Sequence, residues 1–353
     1  MDPDKLKDTA RRVFDALGGA MTASMIHLGD RLGLYRALAE LGEASSADLA
    51  RHTELSERWV REWLYQQGAA GLLEHRGELR FALSEEAAAL LAHEEHPAFG
   101  AGFFTHLPQQ LGIVERLPDA FRSGIGLAYD ALGPEGAAGI ERGFAPWFRA
   151  SLVPAVLPRV DGLVEALAQG IRVADVGCGA GAALLAMAKA FPASEFHGYD
   201  ISEHALARAE TQCTEAGIPN ARFRNPRQEP LPSTPTYGLV TTFDCLHDMT
   251  DPARVMSAIR GAILPDGKWL VADIKAQPSW EENVERNPMA AMMYGTSVLT
   301  CMSSALSEPG GLGLGTLGLH AGLAEQMTRD AGFSAFETLD VDHPINAFYL
   351  VRP

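Results

Sequence analysis

Between a run of apolar residues and a helical stretch the chain reads Asp175-Val176-Gly177-Cys178-Gly179-Ala180-Gly181, and this segment restricts the fold more than any other. Its glycines allow a tight turn and let a ligand approach the backbone closely. The residues before it, Ile171-Arg172-Val173-Ala174-Asp175-Val176, read as a buried strand, and those after it, through Ala190, as a helix. The amide end of such a helix suits the negative part of a ligand. The alternation then continues: a strand at 195–200, a helix through Ala216, strands at 221–225 and 237–244, a helix near 252–263 and a strand at 268–274. Strands alternating with helices predict an α/β domain with a parallel, doubly wound sheet. The end departs from this pattern. After a helix near 319–331, the strands at 333–341 and 347–353 are joined by a link too short for a crossover helix, so the last strand is expected to run antiparallel.

The first half of the chain reads differently. Residues from about 4 to 41 are expected to be helical, because Val13, Leu17, Met21, Met25, Leu28 and Leu32 recur at steps of three and four. Ser46-Ala47-Asp48-Leu49-Ala50 opens another helix, and a further one follows Leu55 with Ser56 as its N-cap. Residues 71–83 suggest a two-stranded ribbon turning near Gly77. Helix, turn, helix, hairpin is the order of a winged helix. Residues 98–168 read as helical with breaks at Pro108, Pro118, Pro134, Pro146, Pro154 and Pro158. The expected organisation is a helical, winged-helix domain over 1–95, a helical linker and cover over 96–168, and the sheet domain over 169–353.

Charge narrows the function. The chain carries a formal net charge of −16, which repels nucleic acid and anionic lipid. A winged helix can nevertheless read DNA through its second helix, so a transcriptional regulator that senses a nucleoside is an alternative reading. Residues 46–92 hold five arginines, eight acids and no lysine, the reverse of a DNA-reading surface. Cys178, Cys213, Cys245 and Cys301 have neither zinc-site nor disulfide spacing. They read as small buried hydrophobes in a reducing compartment. The start of the chain lacks the apolar run of a secretory signal, and no apolar stretch suffices to span a bilayer. A cytoplasmic protein with no membrane partner and no metal is expected.

Asp200 closes the second strand of the sheet domain, 25 residues after Asp175. An acid there can accept both ribose hydroxyls of a nucleoside, or it can cap the helix starting near Ser202. Gly177-x-Gly179-x-x-Ala182 also satisfies the dinucleotide fingerprint, so the glycine loop alone does not choose a cofactor, and an NAD enzyme is a third reading. Candidate ligand contacts are Asp175, Gly177, Cys178, Gly179, Gly181, Asp200 and Ile201.

These motifs, followed by a fourth strand that runs into Phe243-Asp244-Cys245-Leu246-His247-Asp248, resemble the class I S-adenosylmethionine methyltransferases. Their Rossmann-like sheet has an antiparallel final strand. More narrowly, the chain is similar to the Rv2258c-like group of bacterial methyltransferases with an N-terminal winged-helix domain. The matching segments are Leu55-Ser56-Glu57-Arg58-Trp59-Val60-Arg61-Glu62-Trp63-Leu64, Asp244-Cys245-Leu246-His247-Asp248-Met249, Ser297-Val298-Leu299-Thr300-Cys301-Met302 and Gly310-Gly311-Leu312-Gly313. The resemblance implies S-adenosylmethionine as cofactor, with contacts at Asp175, Gly177, Asp200, Phe243 and Asp244. It also implies methyl transfer to an O, N or C nucleophile of a small-molecule acceptor, and a homodimer whose N-terminal domain covers the substrate pocket. Many such enzymes bind the adenine amino group with an acid after the third strand. Here that stretch reads Asn225-Pro226-Arg227-Gln228-Glu229, so Arg227 or Gln228 is expected to face adenine.

His247 falls just past the fourth strand, where this fold brings the transferred methyl, and it is also a candidate cofactor contact. It can remove a proton from the acceptor or simply pack against the cofactor, and both readings stand. Asp248 can orient His247 or cap the next helix. Asp273 ends the fifth strand and faces the same crevice by the strand-end rule. Met293, Tyr294 and Ser297 belong to a soft, apolar segment that can wall a pocket or fill a core. Trp147, Phe148 and His320 are further wall candidates. The glycines over 310–318 suit either a mobile lid or a close-packed turn.

Overall fold

A computed structural model describes all 353 residues. The chain forms two compact units, residues 1–108 with 142–147, and residues 109–141 with 148–353. Residues 96–168 are thus divided between the units, as short helical pieces and one longer helix over Gly133–Trp147.

In the first unit, the predicted helical start is two helices, α1 (Pro3–Arg31) and α2 (Leu34–Leu41). They part at Gly33, whose φ of 71° lies where glycine is at ease. The Asp2 carboxylate caps α1. Ser45 and Asp48 form a reciprocal capping box on α3 (Ser46–Thr53). Ser56 is the N-cap of α4 (Glu57–Ala69) by position, but its hydroxyl makes no capping bond. The hairpin of β2 (Glu74–His75) and β3 (Phe81–Ala82) turns at Gly77 as expected. A third strand missing from the sequence reading, β1 (Glu43–Ala44), pairs with β3, and α5 (Glu85–Leu91) follows. Leu38, Leu49 and Leu64 fill the core. The Tyr35 and Trp63 rings meet edge-on at 5.1 Å, and a Cβ at Gly29 would fall 2.5 Å from the Trp63 ring. That contact fixes how closely α1 lies on α4.

The second unit is a seven-stranded sheet in the order β6-β5-β4-β7-β8-β10-β9. Its strands are β4 (Arg172–Val176), β5 (Glu195–Tyr199), β6 (Ala221–Arg224), β7 (Tyr237–Phe243), β8 (Ile263–Ile274), β9 (Ala335–Leu339) and β10 (Asn346–Arg352). Strands β6 through β8 pair in parallel. β10 lies between β8 and β9 and is antiparallel to both, as the short link predicted. β8 starts earlier than expected, pairing Ile263 with Tyr237 before the register shifts to Leu239 opposite Lys268. Four helices cover the sheet strands' connections: α6 (Ala182–Ala190), α7 (Glu203–Glu215), α8 (Pro252–Ala262) and α9 (Ala321–Asp330). The central strands are buried on both faces, as a sheet covered by helices on both sides requires. Trp269 on β8 is fully buried, stacks obliquely on Phe333 at 5.1 Å and donates its indole N–H to Thr242 Oγ1 at 3.0 Å. Replacing Trp269 with Ala leaves a large cavity and an orphaned hydroxyl. We expect a loss of about 3–5 kcal/mol in the urea unfolding free energy of this unit, and a loss under about 1 kcal/mol would show that Trp269 does not hold the sheet.

Candidate active site

The glycine loop leaves β4 with three left-handed residues, Gly177 (φ 77°), Gly179 (φ 53°) and Gly181 (φ 81°). Two of them are required by contact. A Cβ on Gly177 would lie 2.5 Å from Cys245 Sγ, and one on Gly181 would press the Phe223 ring at 3.0 Å. Gly179 differs, because a Cβ there would meet no atom within 4 Å. Its face is open to a ligand. The amides of Gly177 and Cys178 donate to the Tyr199 carbonyl at 2.7 and 3.1 Å, which ties the loop to the end of β5.

Asp200 is the hub between that loop and α7. Its Oδ2 accepts from the Gly179 amide at 2.7 Å and its Oδ1 from the Ser202 amide at 2.8 Å. Burial pushes its pKa up against these amides, which favour the charged form. The helix N-cap is Ser202, not Asp200. Asp175 lies beneath the loop, almost wholly buried, and accepts from Thr241 Oγ1 at 2.7 Å. Burial lifts its pKa to about 7, with the Thr241 bond opposing. It braces β4 against β7. Cys178 is buried in the loop, and Ile201 stands exposed beside Asp200.

A second polar cluster gathers where β7 ends. Asp244 takes a left-handed φ of 52°, uncommon for a residue with a Cβ. Its amide donates to the Ala272 carbonyl at 2.9 Å, and its Oδ1 accepts from the Asn346 side-chain amide. Burial, followed by the charge of Asp273, raises its pKa to about 7. The turn Leu246–Asp248 then brings His247 inward, 3% exposed. His247 Nδ1 meets Asp273 Oδ1 at 2.6 Å, and that oxygen also accepts the Ile274 amide at 2.8 Å. Asp273 is 1% exposed and its Oδ2 has no partner. Burial presses the His247 pKa down, but the charge and hydrogen bond of Asp273 outweigh it and hold the ring well above its ordinary value.

The far side of His247 faces Cys301. Burial raises this thiol and the hydrogen bond with His247 lowers it, leaving it at about 7. The Tyr129 hydroxyl reaches Cys301 Sγ at 3.7 Å and hydrogen-bonds Asp248. Burial holds the Asp248 carboxyl well above the usual range. The donor atoms of His247, Asp248 and Cys301 lie within 4.8 Å of one another, and the His247–Cys301 and Tyr129–Asp248 bonds account for that proximity.

Several expectations meet their positions here. Asp248 neither orients His247 nor caps α8: Asp273 is the orienting carboxylate, and Asp251 caps the helix by accepting the Arg254 amide at 3.0 Å. Phe148 packs on Phe243 with ring centres 5.3 Å apart, while Trp147 closes the first unit. Met293 is buried with Ile274, Ala290 and Leu317, and Tyr294 packs against that group. Ser297 Oγ accepts the Thr316 amide at 3.1 Å. His320 caps α9 through Nδ1. Arg227 and Gln228 are exposed, with Arg227 paired to Glu308. The glycine run is close-packed, since Cβ atoms on Gly311, Gly315 and Gly318 would come within 2.5 Å of neighbouring atoms. Sequence reasoning missed Tyr129, Asn346 and the role of Cys301. The thiol sits inside a quoted motif, yet only the fold brings it to His247.

A methyltransferase-domain family model matches residues 167–331, and a model of the Rv2258c-like winged HTH domain matches residues 20–93. The ubiquinone biosynthesis O-methyltransferase of Paracidovorax citrulli is 36% identical over 116 residues, 32% of this chain and 47% of that protein. The chain thus spans about half the length of this curated relative. A candidate O-methyltransferase from Nostoc punctiforme superposes with TM-score 0.74 at 17% identity, covering 97% of this chain and 98% of its own. Human N-acetylserotonin methyltransferase, solved in complex with S-adenosylmethionine, superposes with TM-score 0.68 at 19% identity, covering 98% and 97%. At these identities the likeness is one of fold.

Because the His247 pKa is raised in the folded state, the His247–Asp273 pair stabilises the fold fully below about pH 6.5, and this contribution is lost as pH rises through the folded value. Asp273→Asn removes the charge and leaves burial. In an NMR titration the His247 pKa is then expected to drop by more than about one pH unit. An unshifted ring would show that Asp273 does not set its charge.

Proposed function

We propose, from a chain whose residues 167–331 match a methyltransferase-domain family model and whose residues 20–93 match a model of the Rv2258c-like winged HTH domain, that this protein transfers a methyl group from S-adenosylmethionine to an oxygen of a small molecule. The observation that carries this reading is the buried His247–Asp273 pair at 2.6 Å, placed beside the glycine loop by the contact of Gly177 with Cys245. The residues fit the cofactor: Gly179 offers an open face, and each Asp200 oxygen accepts one amide, which leaves lone pairs for the ribose hydroxyls. Phe243, Asp244 and the exposed Ile201 border the same loops. When bound, the cofactor supplies a methyl on a positively charged sulfur that leaves as a neutral thioether. The chain's own task is therefore to position and to move a proton.

Asp273 holds Nδ1–H of His247, so the proton-accepting atom is Nε2, on the side that faces the Cys301 thiol, once the ring is neutral. Its raised pKa makes turnover climb with pH through the alkaline side of neutrality. Transfer needs no metal on this reading, and chelator treatment leaves turnover unchanged. His247→Ala is expected to lower kcat by at least about a hundredfold, with calorimetric affinity for S-adenosylhomocysteine kept within about threefold. Asp200→Ala is expected to weaken that affinity by at least about tenfold. Retained turnover in the first variant, or retained affinity in the second, refutes the corresponding role.

We also propose a homodimer in the cytoplasm. No helix is long and apolar enough to cross a membrane, and all four cysteines are free. Leu6, Val13, Phe14, Leu17 and Met21 form an exposed stripe on α1, Phe14 being 69% exposed, and a second α1 would cover it. Light scattering should show a dimer that Phe14→Glu with Leu17→Glu reduces to a monomer. A monomeric parent protein would end this proposal. We assign no nucleic-acid partner, since Arg58 and Arg61 on α4 pair with Glu62 and Glu57.

A further inference from the structure

The wall around His247 has a charge character that methyl transfer alone does not require. Three carboxyls stand there: Asp273 on Nδ1, Asp248 on the Tyr129 hydroxyl, and Asp244 close enough to Asp273 to feel its charge. The groups that dominate the surroundings of His247, Asp248 and Cys301 are these acids with Tyr129, Thr300 and Thr316. No lysine or arginine is among them. The Tyr129 side is held firmly. The Leu127 amide donates to Ser303 Oγ at 2.8 Å, the Gly126 amide to the Leu306 carbonyl at 2.9 Å, and Ser202 Oγ to the Asp130 carboxylate. A Cβ on Gly126 would lie 2.0 Å from the Ser303 carbonyl oxygen. The strap that carries Tyr129 therefore lies flat against 303–306 on one side and beside the Asp200 loop on the other.

On the methyltransferase reading, we propose that the acceptor is a neutral or cationic hydroxy compound with no carboxylate, phosphate or sulfate near the reacting oxygen, and that Asp248 with Tyr129 determines this specificity. A neutral hydroxyl finds both a donor and an acceptor in the Tyr129–Asp248 pair. A cation finds in Asp248 a carboxyl whose charge it can compensate, a charge that burial otherwise makes costly. An anion finds no lysine or arginine there to replace its lost water, since the one cationic group, the His247 ring, is already taken by Asp273, whose second oxygen has no partner.

The test uses the full chain saturated with S-adenosylhomocysteine and three probes that share one ring: catechol, dopamine and 3,4-dihydroxybenzoate. Calorimetry is expected to give dopamine tighter binding than catechol, and both at least about tenfold tighter binding than the benzoate. In Asp248→Asn, which keeps the shape but cannot ionise, dopamine should lose its advantage over catechol and the benzoate should come within about threefold of both. Tyr129→Phe should weaken all three probes without changing their order, a readout that a misfolded chain would not give. Benzoate binding equal to catechol, an unchanged order in Asp248→Asn, or no binding of any probe overturns the proposal. Affinity for S-adenosylhomocysteine is read in the same samples. Its loss defeats the methyltransferase reading, whereas its retention with a flat probe order defeats only the specificity inference.

Discussion

The contact between Gly177 and Cys245 is the constraint on which the rest of the second unit's chemistry depends. Strands β4 and β7 are parallel neighbours, with Asp175 opposite Thr241, so their loops leave the sheet side by side. Gly177, with φ 77° and the Cys245 sulfur where a side chain would begin, lets those loops touch. One loop is locked to Asp200 and the other carries His247. This is also where the strand order reverses direction, the crevice in which open α/β sheets bind ligands. A side chain at 177 would push the two halves of the site apart while leaving every strand in place.

Around that crevice the protein tolerates an unusual density of buried acid. Asp175, Asp200, Asp244 and Asp248 all have raised pKa values with burial as the first cause. Each is partly compensated by a specific partner: Thr241, two backbone amides, Asn346 and Tyr129 respectively. Asp273 differs in having a cationic partner, the His247 ring. Breaking such a pair from one side leaves an uncompensated buried charge, which is why its two members depend on each other. Stability is given up here for a site that is polar before any ligand arrives.

The sequence disclosed what is periodic and local. Strand–helix alternation with a short final link implied the parallel sheet and its antiparallel last strand, because both follow from chain length and pattern. The glycine loop and Asp200 were visible because their spacing is fixed by one strand and one turn. The partner of His247 was not, since Asp273 is 26 residues away and Asp248 was the nearer carboxylate. Tyr129 and Cys301 are 172 residues apart and meet only through tertiary packing. Strand β1 was invisible for another reason: two residues carry no periodicity. Ser56 shows the limit of cap rules, because the residue type and position are right while the hydroxyl makes no capping bond.

The first unit illustrates why fold alone does not settle function. Its hairpin and helices have the order of a DNA reader, yet the helix that would enter a groove carries each arginine beside a glutamate one turn away. Such i,i+4 pairs stabilise the helix only slightly, by about 0.3–0.5 kcal/mol each. Their larger effect is to cancel the positive field that counterion release from DNA needs. Meanwhile α1 spends its apolar residues on an exposed stripe, and Gly29 keeps the end of the same helix close against Trp63. One end of α1 is thus anchored on the winged framework while the rest keeps its apolar side chains exposed, and on that exposed stripe the proposed dimer rests.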